Sequence, residues 1–359
     1  MSNPDIVYYN CNSICVKTSP TDADQPCVFQ ESRPYPILSN ASDYKFSLIR
    51  ATIDSTNIPC FIPKIITAPN VTAYQIKTLF NYTGSSGPIS NIVTLDYTSR
   101  SKYSLPIPSS FDYSNKYYWV YDIQDFIDMF NSACATSFIN LQNTLGVAHT
   151  ITTQPPKMII NNNNLEIYYD AFGFGFDATG DEQCFMYINE DLKNLIRNFN
   201  CLYSASGDGL NYQLIVSNKL YNNQTVNSKL YYVESQSFSS LSTVFSPVSS
   251  IVFISNMGIR TEYAGNVQRL SNASGGVQSS DNIENQIIDI ALSVSNPMDY
   301  STQIEYVASV FRFSDILTNE IRNIDISVFW KNKYTGQNYN VLLSDGCSFN
   351  AKLMFQKKD

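Results

Sequence analysis

One histidine, His149, occurs in 359 residues, and tryptophan occurs only twice. Charged residues make up 15% of the chain, well below the usual quarter, and no run of lysine and arginine longer than Lys357-Lys358 appears. Each scarcity excludes something. A Ser-His-Asp or Cys-His mechanism would have to pass through His149. That residue lies in Gly146-Val-Ala-His-Thr-Ile with no nucleophile motif beside it, and it reads as a solvated loop histidine. Zinc sites need ligand pairs at short spacing. Cys11 and Cys15 are the one close pair, with no second pair to complete a tetrahedron, so they read as packing residues and no metal or other cofactor is expected. Phosphate binding needs a concentrated basic patch, so at a net charge of −8 no direct nucleic-acid binding is expected. The acidic balance reads as colloidal solubility. No apolar run is long enough to span a bilayer. The start, Met1-Ser-Asn-Pro-Asp-Ile-Val-Tyr-Tyr, has neither a basic n-region nor an apolar h-region, which predicts synthesis without a signal peptide. In a reducing compartment the eight scattered cysteines then act as small buried hydrophobes.

What the chain does have is apolar and neutral polar surface. Hydrophobic residues reach 43%, with 25 tyrosines and 21 phenylalanines, enough for a sizeable core. Abundant Asn, Ser, Thr and Tyr suit strands and broad protein contacts better than a charge-solvated enzyme surface.

Residues 1–40 mix short apolar runs with Pro, Asp and Ser and read as an extended arm or an outer strand. From Tyr44 to Ile53 the apolar residues alternate as Tyr44, Phe46, Leu48 and then change face at Ile49, Ala51 and Ile53, which predicts a strand. Val71–Tyr82 predicts another. Lys116–Tyr121 reads as an aromatic strand leading to Asp122, a good N-cap. Behind it Ile123, Phe126, Ile127, Phe130, Cys134, Phe138, Leu141 and Leu145 recur at helical spacing up to a C-capping Gly146. Met158–Ile160 and Leu165–Tyr169 predict a hairpin. A shorter helix follows, capped by Asn189, with Glu190 and Asp191 at its positive end and Leu192, Leu195, Ile196 and Phe199 as its buried stripe. Beyond residue 210 the pattern is β again. Strands are predicted at Tyr212–Val216, Leu230–Val233, Ser250–Ile254, Ile287–Val294, Ile304–Phe313, Ile324–Trp330, Tyr339–Leu343 and Ser348–Phe355. A hairpin turn is predicted at Lys333–Gln337 and an exposed loop at Asn272–Ser280. Many strands with turn signals and a helical insertion define the expected class as mainly β, a jelly-roll β-sandwich with an inserted α+β subdomain. The expected boundaries are 1–40 for the arm or outer strand, 41–115 with 206–359 for the sandwich, and 116–205 for the insertion.

Two apparent motifs dissolve on inspection. Gly173-Phe-Gly175-Phe-Asp-Ala178 fits G-x-G-x-x-A in form, but bulky aromatics fill it and Asp177 stands where a phosphate would approach, so it reads as a tight strand or bend. The acidic stretch Asp177–Glu182 lacks calcium-loop spacing and reads as a solvated turn.

The order of three stretches is informative. They are Tyr117–Ala133, with Asn131 inside the helix; Pro156–Asp170 followed by Phe185–Ile196; and the C-terminal series Ile304–Val307, Phe311–Asp315, Ile324–Lys331 and Ser348–Phe355. In this order the chain resembles the minor capsid, or penton, proteins of virophages and Polinton-like viruses. The resemblance implies a single jelly roll with an inserted subdomain, a homopentamer at each vertex of an icosahedral capsid, and a double jelly-roll major capsid protein as partner. It implies a virion location after synthesis in the host cytoplasm or a viral factory. It carries over no catalytic residues, and no enzyme activity is expected. Two other classes stay open on residues alone. One is a carbohydrate-binding or host-attachment module using Trp119. The other is a hydrolase using two carboxylates distant in the chain.

Overall fold

The structure, a computed structural model, describes residues 5–100, 106–161, 164–175, 180–205, 207–217, 223–226, 228–236, 246–257, 286–291, 303–316 and 318–358. In chain order its main strands are β1 (Ile6–Ile14), β2 (Val28–Ser32), β3 (Tyr44–Asp54), β4 (Val71–Tyr82), β5 (Ile89–Asp96), β6 (Lys157–Asn161), β7 (Asn164–Asp170), β8 (Glu182–Ile188), β9 (Tyr212–Leu214), β10 (Lys229–Ser235), β11 (Val248–Ile254), β12 (Gln286–Ala291), β13 (Gln303–Val307), β14 (Asn323–Asn332) and β15 (Ser348–Lys357). Its α-helices are α1 (Ile123–Leu145) and α2 (Glu190–Leu195).

The chain divides into two compact units, one of Met1–Cys60, Ser246–Val294 and Asp299–Asp359, the other of Phe61–Phe245 and Ser295–Met298. The first unit holds two antiparallel sheets, ordered β1-β15-β3-β13 and β2-β14-β11-β12. Numbered one to eight along the chain, these strands pair first with eighth, second with seventh, third with sixth and fourth with fifth. Those are the successive rungs of one long hairpin folded over on itself, which is the jelly roll.

Its sequence logic is alternation with one interruption. On β15, Phe349, Ala351, Leu353 and Phe355 face inward, and on β14 so do Ile324, Ile326, Val328 and Trp330. On β3 the inward set runs Tyr44, Phe46, Leu48 and then Ala51, Ile53. The register supplies the reason. Lys352 pairs with Arg50 and Leu353 with Leu48, so Ile49 is an extra bulged residue that resets the alternation. Phe253 and Phe349 meet between the two sheets with ring centroids 6.4 Å apart, and Trp330 stacks on Tyr339 at 4.9 Å. The predicted turn forms: Gly336, at φ 72°, donates its N–H to Asn332 O and lets β14 return as Asn338–Asn340.

Of the two readings of the N-terminal stretch, arm or outer strand, residues 6–14 take the second, as β1 laddered along β15. Several other expectations need correction. The predicted strand Ile304–Phe313 ends at Val307, and pairing resumes only at Ser314-Asp315. The short, half-exposed β2 gives no alternation to read and was not expected. The predicted strand Ile287–Val294 is described only to Ala291, and the predicted loop Asn272–Ser280 lies outside the described residues.

The second unit is wider than the expected 116–205, because Phe61–Asn115 and the chain up to Phe245 belong to it. Its larger sheet runs Cys201–Tyr203, β9, β8, β4, with β5 and Ile65–Thr67 sharing the far edge of β4. The smaller sheet runs Asn223–Val226, β10, β7, β6. Helix α1 starts where Asp122 accepts the Gln124 N–H at 2.9 Å and ends at Gly146, at φ 58°. Its apolar stripe is buried throughout, from Ile123 to Leu141. Two polar contacts lock it in place. Ser137 Oγ lies 2.9 Å from Thr78 Oγ1 on β4, and Asn131 binds both the N–H and the C=O of Met158 on β6. The aromatic run before α1 is no strand. Asn115 caps a 3₁₀ turn over Lys116–Tyr118, and one bridge joins Val120 to Phe61. Helix α2 stops at Leu195, although Ile196 and Phe199 beyond it stay buried.

Candidate functional site

Glu182 opens β8 with its side chain fully shielded from solvent. The loop leaving α1 wraps around it. Oε1 accepts from the Thr152 N–H at 2.8 Å, from Thr152 Oγ1 at 3.0 Å and lies 2.8 Å from His149 Nε2. Oε2 accepts from the Thr153 N–H at 2.8 Å and from the Thr153 hydroxyl. Burial by itself raises the carboxyl pKa, but the bonds from Thr153, Thr152 and His149 together outweigh it and hold the group below its ordinary value. His149 stacks on Tyr82, with ring centroids 4.2 Å apart and planes 13° from parallel.

This corrects two expectations. His149 is not a solvated loop residue, and Glu182 is not in a solvated turn; the rest of that acidic stretch, 177–179, lies outside the described residues. The signal that would have found the pair is weak, since His149, Tyr82 and Glu182 are distant in sequence and meet only through the sheet.

The neighbouring Asp170, at the end of β7, is also buried. It accepts the N–H groups of Gln154 at 2.9 Å and Phe172 at 3.1 Å, with Lys229 Nζ 3.4 Å away. The Gly173–Ala178 segment begins as a turn: the Gly173 and Phe174 N–H groups both donate to Asp170 O, and the Phe174 ring is fully buried. A Cβ at Gly173 would stand 2.2 Å from Thr153 Oγ1, so the glycine is there to let that turn close on the threonine that binds Glu182. The donors to these two carboxylates come from the α1 exit loop, from the Phe172 N–H and from Lys229. The arrangement ties the α1 exit loop to β7, β8 and β10 and works as a clamp.

Trp119, suspected as a glycan platform, is 4% exposed, and its Nε1–H donates to Tyr113 O at 3.1 Å. It is core. Six of the eight cysteines are buried, with Cys201 and Cys347 partly exposed. Burial pushes the Cys11 thiol up to about 12. Among the described residues no group of three His, Cys, Asp or Glu side chains is placed to hold a metal, and no helix is long and apolar enough to cross a membrane.

Exposed apolar residues are scattered over loops, strands and the outer face of α1, Tyr35, Ile139 and Val147 among them, and two groups of them flank one sheet. Along the β1 edge of the first sheet, Tyr8 and Ile14 point outward and Val16 follows at 77% exposure. At the opposite edge of the same sheet β13 exposes Val307, and Val310 and Phe311 come after it. The two borders are different in sequence and lie on opposite edges of one sheet.

The family match shows the class this jelly roll with a second unit serves, that of a viral capsid structural protein. The chain belongs to the Sputnik minor capsid protein V18/19 family, which it matches over residues 7–357. It is 32% identical over 154 residues, 40% of this chain and 88% of the relative, to an uncharacterized V18 protein of Sputnik virophage. A chain in the cryo-EM structure of the Sputnik virophage has a TM-score of 0.74 at 23% identity, with 99% of each chain covered. The crystal structure of the mavirus penton protein gives 0.65 at 16% identity, covering 99% of this chain and 100% of that one. At these identities the two solved structures speak for the shared fold.

Proposed function

We propose that this minor capsid protein is the penton of its particle, five copies closing a ring at each vertex of an icosahedral shell built from a double jelly-roll major capsid protein. It acts through its surfaces and without catalysis. The observation that carries this reading is the pair of unlike apolar borders, β1 with Val16 and β13 with Val310 and Phe311, at opposite edges of one sheet. A ring needs heterologous contacts, in which one border of each copy meets the other border of the next. The likeness in fold to the mavirus penton protein supports the same assignment. Light scattering and native mass spectrometry on the purified, tag-free chain test it, alone and with the major capsid protein. A closed pentamer, formed alone or on addition of that partner, is the expected result. A monomer or dimer that ignores the partner overturns it.

A further inference from the structure

Two of the eight cysteines face each other across a ladder. β1 and β15 pair in register up to Ile14 opposite Ser348, and the next pair in that register is Cys15 and Cys347. The Cys15 N–H donates to Cys347 O at 2.9 Å, and the Gly346 N–H donates to Cys15 O at 2.9 Å. Gly346 has φ 76°, so this is a bulge with glycine in its left-handed first position and Cys347 in its second, both opposite Cys15. Alternation sets the side-chain direction. On β1 the buried Cys11 and Cys15 share the inner face, and on β15 Phe349 and Ala351 continue inward from Cys347. The other cysteines with a paired strand residue meet no sulfur: Cys11 faces Ala351, Cys184 faces Phe80 and Cys201 faces Leu214.

Directly opposed residues of a regular antiparallel pair, such as Ile14 and Ser348 beside the bulge, have Cα atoms about 4.5–5.5 Å apart. The hydrogen bond from the Cys15 N–H to Cys347 O keeps the two strands in contact one pair further on. A separation of that size falls inside the window of about 4.4–6.8 Å that a disulfide spans without backbone movement. Both thiols are free in the structure, and Cys347, the more exposed, has its Sγ 3.6 Å from Thr56 Oγ1.

We propose that Cys15 and Cys347 are a redox pair that closes to a cross-strand disulfide once the protein leaves a reducing compartment. The oxidant is a small-molecule disulfide of the glutathione class. The Cys347 thiolate, having lost its proton to solvent, attacks one sulfur of the oxidant, and the first small thiolate leaves with the electron pair of the broken S–S bond. The Cys15 thiolate then attacks Sγ of Cys347, forms the protein disulfide and expels the second small thiolate. Two protein thiols are oxidised and one disulfide is reduced to two thiols, so the exchange balances. The bond ties the outermost strand β1 to β15, where Ile14 and Val16 form an exposed border. It would therefore fix the edge strand that the ring reading uses, and to that extent it rests on that reading; the sulfur chemistry does not.

The test uses the full-length reduced chain, incubated with oxidised glutathione, alkylated, digested without reductant and mapped by mass spectrometry. The expected product is a Cys15 peptide joined to a Cys347 peptide, lighter by two hydrogens than the reduced sum. Cys347→Ser abolishes it and the accompanying rise in melting temperature. Recovery of Cys347 only as a lasting mixed disulfide with glutathione, alkylation of both residues after denaturation, or pairing of Cys15 with another cysteine overturns the proposal. A chain that cross-links yet forms no ring keeps this inference and sinks the penton reading; a ring-forming chain that never cross-links does the reverse.

Discussion

His149 Nε2 lies 2.8 Å from Glu182 Oε1, and that contact joins the loop after α1 to the first residue of β8. The carboxylate collects five contacts in all, four of them from Thr152 and Thr153, in a place water does not reach. A buried charge held this way is costly to disturb, because each donor left without an acceptor keeps its desolvation penalty. Glu182→Gln preserves shape but turns one acceptor oxygen into an NH₂ group facing donors. We expect a loss of about 3 kcal/mol, from the magnitude of charged hydrogen bonds left unmade. Urea unfolding measures it, and faster amide exchange at Thr152 and Thr153 localises it. Unchanged unfolding and exchange would mean the cluster is incidental.

The same carboxylate sets a pH dependence. Its folded pKa lies below the ordinary value, since the bonds from Thr153, Thr152 and His149 outweigh burial. A depressed folded pKa contributes stability that is fully present above the unfolded value of about 4.3 and disappears as pH falls through the folded value. The stability gap between the native chain and Glu182→Gln is therefore expected to narrow as pH falls below the unfolded carboxylate pKa of about 4.3 and through the lowered folded value. Melting temperatures of both proteins across that range check the sign. A gap that widened in acid would contradict the assignment.

Gly173 has no charge to lose, yet it belongs to the same unit. A Cβ there collides with the Thr153 hydroxyl, Cγ2 and Cβ together, so the neighbour cannot swing one atom aside. Gly173→Ala is expected to cost about 2 kcal/mol, in the range of overpacked interiors. Because its damage passes through Thr153 to Glu182, it is expected to couple with Glu182→Gln. The double variant should be less destabilised than the sum of the two singles, by more than about 0.5 kcal/mol. Strict additivity would separate the glycine from the carboxylate.

Local chemistry was the legible part of this fold. Helix α1 was read to both caps because Asp122, a long apolar stripe and Gly146 sit within one continuous stretch. The face change in β3 was visible in its apolar pattern, though the bulge at Ile49 that causes it depends on the partner strand β15. Lys116–Tyr121 misled because tyrosines and tryptophan favour strands, while the Asn115 cap and the close-packed rings of Tyr97, Tyr117 and Tyr118 favour a turn. The clamp was illegible for a different reason. His149 comes 67 positions after Tyr82 and 33 before Glu182, and only the pairing of β4 with β8 brings the three together. The outer limits of the second unit failed likewise, since β4 and β5 look like sandwich strands until their partners are known.

The border residues give a prediction that separates assembly from folding. Ile14 is 67% exposed on β1 and Val307 is 69% exposed on β13, at opposite edges of one sheet. Neither side chain supports the core of its own unit, so an aspartate at either place costs the monomer little, within about 0.5 kcal/mol as for other surface changes. In a head-to-tail ring each border is buried once per contact, and a carboxylate placed in an apolar interface is desolvated without a partner. Ile14→Asp and Val307→Asp are therefore each expected to lower the fraction of ring at least tenfold at fixed concentration, with the melting temperature of the monomer unchanged. Because the contact is heterologous, the two variants should fail by themselves and still fail when mixed with each other, since every subunit then carries one spoiled border and a pure Ile14→Asp copy offers a sound border to only one neighbour. Mass photometry of the singles and of the mixture reads the outcome directly. Full rings from both single variants would place the subunit contacts elsewhere on the molecule.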